Sequence, residues 1–120
     1  GDLKRARGHI KQAVDLFGQI RSKAHLAAAL RTLGEVTAAG AWGPSHEGKA
    51  VDYFLRSIAL CKEIGNEIET AKSYRCFSDY VSASALYRHN DGIQAEAAKL
   101  REMAAEIFAR QKVRAEQGDP

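Results

Sequence analysis

The chain has 120 residues, a net charge of +3 from 18 basic and 15 acidic residues, and 45% hydrophobic residues. That balance suits one globular domain and excludes a disordered tail or a fibre. The two charge signs are interspersed, with Lys4, Arg5 and Arg7 the densest basic cluster, which argues against a nucleic-acid-binding face, and the longest apolar run, Leu26 to Leu30, is far short of the roughly 20 residues that span a membrane.

Residues 6, 10, 13, 17 and 20 step by four and three, one stripe on a helix of 3.6 residues per turn, and predict a helix over 2–20. Residues 27, 30, 33 and 37 predict a second over 22–39. Gly40-Ala41-Trp42-Gly43-Pro44 then breaks the chain, and Ser45 is placed to cap a third helix over 46–64, with its stripe at 50, 54, 57, 61 and 64. Gly65 suits a helix C-terminus, where a left-handed residue is wanted. Asn66 with Glu69 forms a capping arrangement that opens a fourth helix over 67–88, its stripe at 71, 74, 77 and 81. Asp91 with Gln94 repeats the device and opens a fifth over 92–112, after which residues 114–120 are expected to fray. No stretch alternates with period two for long enough to suggest a strand.

The elements repeat. A shift of 44 residues lays 6–36 on 50–80 without a gap. Ala6 then faces Ala50, Ile10 faces Phe54, Ala13 faces Ser57, Phe17 faces Cys61, and Ile20 faces Ile64. In the other helix Ala27 faces Ala71, Leu30 faces Tyr74, and Leu33 faces Phe77. A third, partial copy lies 47 residues further on, with Ala97, Ala104 and Phe108 opposite Ala50, Ser57 and Cys61. There Arg101 replaces Phe54, and the neighbouring Leu100 is expected to supply the apolar contact. Cys61 and Cys76 fall in helix interiors, without CxxC spacing, and read as packed thiols.

Leu30-x-x-Leu33-Gly34 resembles the opening of the first helix of a tetratricopeptide repeat (TPR), and Tyr74-x-x-Phe77-Ser78 is similar, with Ser in place of Gly. Ala50-x-x-x-Phe54-x-x-Ser57 and Ala6-x-x-x-Ile10-x-x-Ala13 resemble the second helix. The family's usual period is about 34 residues, so the longer copies here are most similar to the long-helix arrays attached to large bacterial signalling proteins, kinases and nucleotide-dependent regulators among them. The resemblance implies an all-α fold of about five helices, antiparallel hairpins stacked as a short right-handed superhelix. It further implies a cytoplasmic domain over 1–113 of about two and a half repeats, the C-terminal end of a longer array. The first helix then lacks a hairpin partner and is expected to leave an apolar edge exposed.

In such a fold the first helix of each repeat lines a concave groove. The resemblance therefore places Arg31 and Glu35 on one groove helix, and Lys72, Arg75, Asp79 and Ser82 on the next. Arg31, Lys72 and Arg75 would grip an acidic peptide or protein partner. The other reading of the same residues is two pairs within helices, Arg31 with Glu35 and Arg75 with Asp79, on a solvated face. Lys72 has no acidic partner at that spacing. Trp42 either folds back over the hairpin tip or stands out as an anchor for a partner.

His9, His25, His46 and His89 are scattered, and no HExxH, CxxC, GxSxG or phosphate-cradling glycine loop occurs. No metal, cofactor or catalysis is expected. The expected function is a protein-binding scaffold. One alternative is a regulatory segment acting in cis on a kinase or nucleotide-dependent domain. Another is a self-assembly module that forms homo-oligomers through its terminal helix edge.

Overall fold

The computed structural model describes the backbone of residues 2–40 and 44–118 and the side chains of residues 2–40 and 49–118. Among the described residues every regular element is helical: α1 (Asp2–Gln19), α2 (Lys23–Ala39), α3 (Pro44–Ile64), α4 (Glu67–Ala83), a 3-10 turn (Ala85–Tyr87) and α5 (Asp91–Glu116). Each helix packs on the next, α1 on α2, α2 on α3, α3 on α4 and α4 on α5, and α2 also touches α4. The radius of gyration, 15.2 Å, exceeds the roughly 13.6 Å of a rounded domain this long. The helices therefore form a stacked slab of 46 × 39 × 24 Å. None of the described helices is long and apolar enough to cross a membrane.

The repeat seen in the sequence is a repeat in burial. Ala27, Leu30, Leu33 and Thr37 on α2 are buried, and so are Ala71, Tyr74, Phe77 and Val81 at the same positions of α4. Ala50, Phe54, Ser57 and Cys61 of α3 are buried, as are Ala97, Leu100, Ala104 and Ile107 of α5. Leu100 takes the apolar role beside Arg101, and Ile107 is buried more deeply than Phe108. On α1, Ala6, Ile10, Ala13 and Phe17 are only half-buried, and no residue of that helix is fully covered. Its main packing is on α2 alone. Leu16 and Ile20 remain 53% and 60% exposed.

Small residues set the closest approaches. A Cβ on Gly34 would lie 2.6–2.9 Å from three ring atoms of Phe54, inside van der Waals contact. In the next hairpin the residue matching Phe54 is Arg101, and the matching position for Gly34 carries Ser78. Its hydroxyl donates to the Ala97 carbonyl of α5 at 2.8 Å. The substitution of Ser for Gly thus accompanies loss of the aromatic ring.

Helix ends follow local hydrogen bonding. Gly65, at φ +80°, closes α3 as expected, with Asn66 N–H donating to Cys61 O and Gly65 N–H to Lys62 O. The same motif ends α1, with Arg21 in the left-handed role at φ +56°. Asn66 Oδ1 accepts the Glu69 N–H at 3.0 Å, as the capping arrangement requires. Other ends differ from expectation. The cap of α5 is Asn90, accepting from Ile93 N–H, while Gln94 reaches back to the Val81 and Tyr87 carbonyls. α4 stops at Ala83, before 88, because Ser84 takes an extended backbone and its hydroxyl accepts from Leu86 N–H to start the 3-10 turn. α3 starts at Pro44, which places Ser45 inside the first turn. α5 runs through Arg114 to Glu116, where fraying is expected, and Arg110 and Arg114 both pair with Glu67 of α4. Trp42 lies outside the described residues.

Candidate binding channel between alpha2 and alpha4

The first helices of the two hairpins, α2 and α4, lie side by side. The seam between them, called the channel below, holds two separate pockets. One pocket, of about 400 Å³, is lined by Ala24 and Ala27 of α2, by Cys61 and Ile64 of α3, and on α4 by Ile68, Glu69 and Lys72. The other, of about 380 Å³, is lined by Glu35, Ala38 and Ala39 of α2, the ring of Phe54, and Cys76, Asp79, Tyr80 and Ala83 of α4. Alanines of both helices, Ala38, Ala39 and Ala83, line the second pocket. Phe54 floors it because Gly34 has no side chain to hold the ring back.

Arg31 does not face an open groove. Its side chain is only 13% exposed and crosses from α2 to α4. It donates to a Glu69 carboxylate oxygen at 3.2 Å, to the Glu69 carbonyl at 3.4 Å and to Ser73 Oγ at 3.3 Å. Ser73 Oγ lies 2.9 Å from Ser57 Oγ, which donates to the Ala27 carbonyl at 2.7 Å. This polar chain ties α2, α3 and α4 together, so Arg31 clamps the stack.

Lys72 does have an acidic partner. Glu69, three residues before it, accepts from its ammonium at 3.0 Å. Inspection of spacing i+4 alone overlooks that pair. The Lys72 hydrogen bond, followed by Arg31, lowers the Glu69 carboxyl below its ordinary range, against the opposing effect of burial.

Arg75, Asp79 and Ser82 turn toward α5. The Arg75 guanidinium sits 5.4 Å from the Phe108 ring centroid, a cation–π contact. Arg101 donates to Asp79 Oδ1 at 2.8 Å, and Ser82 Oγ accepts from it at 3.5 Å. Glu35 accepts the Cys76 thiol proton at 3.6 Å across the channel. Neither within-helix pair, Arg31 with Glu35 or Arg75 with Asp79, is thus the arrangement adopted. Arg31 and Lys72 converge on the chain's own Glu69 while Arg75 turns to Phe108, so among the described residues the three cations do not form the expected joint grip.

The sequence placed Glu35 and Asp79 in the groove beside the cations, and the structure gathers them into a pocket apart from those cations. Glu35 and Asp79 are 44 residues apart, one repeat, as are Ala39 and Ala83. The repeat therefore sets carboxylates at the same level on adjacent helices. Both cysteines are free. Burial first, then Glu35, pushes the Cys76 thiol up to about 11. Among the described residues no three His, Cys, Asp or Glu side chains cluster to hold a metal ion.

Fold and channel define an all-α stack of helical hairpins with an open face along its first helices. Comparison with protein-family models, with curated proteins and with solved structures finds no match to the chain.

Proposed function

We propose that the chain is a TPR-type helical-repeat module that binds a partner polypeptide in the channel between α2 and α4 and catalyses no reaction itself. The carrying observation is the channel: two pockets between helices in repeat register, one lined by alanines, isoleucines and Cys61, the other by alanines, Phe54, Tyr80 and Cys76. Pockets with apolar walls and a few polar groups are the usual form of a recognition site. A stack of hairpins offers such a surface along its length.

The test is capture of binding proteins by the immobilised chain, compared between the wild type and three variants. Ala38→Arg and Ala83→Arg fill the channel, and Arg56→Glu alters the exposed face of α3. A partner held by the wild type and by Arg56→Glu, and lost by both channel variants, supports the reading. A partner retained by all three moves the site elsewhere. Self-association is a second reading, favoured by the exposed Leu16 and Ile20 beside α1. It expects sedimentation of a dimer that Leu16→Glu, Ile20→Glu converts to monomer.

A further inference from the structure

The pocket at the C-terminal end of α2 carries charge of one sign. Its charged lining residues are Glu35 and Asp79, and no Lys or Arg among the described residues lines it. Asp79 uses Oδ1 for Arg101 at the outer, α5 side. Among the described residues Glu35 accepts from the weak thiol donor of Cys76 alone. Around these carboxylates the walls are apolar or aromatic: Ala38, Ala39, Ala83, Phe54 and Tyr80. The Phe54 ring is buried at 1% exposure and packs against the Tyr80 ring, 5.9 Å away at 48°, so it backs the pocket wall from beneath. The alanine walls suit an aliphatic stem, and the carboxylates suit a cationic head. After burial, Glu35 does most to raise the pKa of the Cys76 thiol, Asp79 adds to the rise, and Arg31 only partly opposes it.

We propose that the channel pocket bounded by Glu35, Cys76, Asp79 and Tyr80 takes a lysine or arginine side chain of the partner polypeptide. This rests on the channel reading above and sets the sign of the ligand opposite to the acidic partner expected from sequence. Arg31 and Arg75 are occupied within the fold and Lys72 is shared with Glu69, whereas Glu35 faces the channel with its charge uncompensated by any described cation.

The experiment is selection of random twelve-residue peptides displayed on phage against the intact chain, followed by affinity measurement on the enriched peptides. A consensus containing Lys or Arg is expected, with affinity reduced about tenfold or more by Glu35→Gln, the loss of one charge-assisted contact, and further by Glu35→Lys. Glu35 is exposed, so both variants keep the wild-type circular dichroism spectrum. An acidic or uncharged consensus, lost in Ala38→Arg yet indifferent to Glu35→Gln, overturns the basic ligand and leaves the channel reading standing. Peptides indifferent to Ala38→Arg, or no enrichment above bare support, overturn both.

Discussion

Gly34 and Phe54 show how one position carries the packing of a hairpin. Phe54 is 1% exposed and cannot swing away from a new methyl group without disturbing α3 and α4. Gly34→Ala gains about 1 kcal/mol of helix propensity but forces an overlap that costs about 1–3 kcal/mol in a packed core. The net expectation is destabilisation, read as a lower thermal midpoint. Phe54→Ala removes the ring itself and costs about 3–5 kcal/mol. Combined with Gly34→Ala it should cost less than the sum, because the clash has gone. Thr37 offers the opposite case. Its hydroxyl is buried without a hydrogen-bond partner among the described residues, and Val81 fills the same position one repeat later. Thr37→Val should stabilise the chain by about 1–2 kcal/mol, the cost of an unmatched buried hydroxyl. A midpoint unchanged or lowered in that variant would mean that the hydroxyl is satisfied in solution.

At the scale of helices, the α2–α4 clamp ties stability to pH. Glu69 has a depressed carboxyl in the folded state, chiefly from Lys72 and then from Arg31. A depressed acid stabilises the fold above its unfolded value, 4.5 here, and that stability is lost as pH falls through the folded value. Glu69→Gln should therefore unfold at lower denaturant concentration at pH 7, by on the order of 1 kcal/mol for a partly exposed charged hydrogen bond. The difference from wild type should shrink as the pH falls below 4.5. An undiminished gap at low pH would assign the effect to packing and not to charge. The helices themselves were legible in the sequence, because the three–four stripe follows directly from burial on one side. Helix ends were less so. Ser84 and Asn90 decide where α4 stops and α5 starts, and neither belongs to an apolar stripe. The channel charges were least legible. Arg31, Arg75 and Asp79 choose partners on other helices, 38, 33 and 22 residues away at Glu69, Phe108 and Arg101, and spacing along one helix carries no information about such pairs.

Across the whole molecule, stability is graded along the stack. In a repeat protein each unit gains from its immediate neighbours, so an end helix with one neighbour opens first. α1 is that end: none of its residues is fully buried, and its 18 residues pack on α2 alone among the principal helix pairs. α5 is an end of a different kind. Ala97, Leu100, Ala104 and Ile107 are buried in one cluster with Tyr74, Phe77 and Val81, and Ser78 bonds across to its backbone. Its outer side carries Arg101, paired to Asp79, where the earlier copies have Ile10 and Phe54. Amide exchange should accordingly be fastest in α1 and slower in α3, α4 and α5. A chain of residues 22–120 should retain one cooperative thermal transition, and its helical signal should fall only by the share that α1 contributes. A chain ending at residue 90 should lose cooperativity, because it uncovers Phe77 and Val81. Equal protection of α1 and α5, or loss of folding on removal of α1, would show that the molecule folds as one indivisible unit and not as a stack.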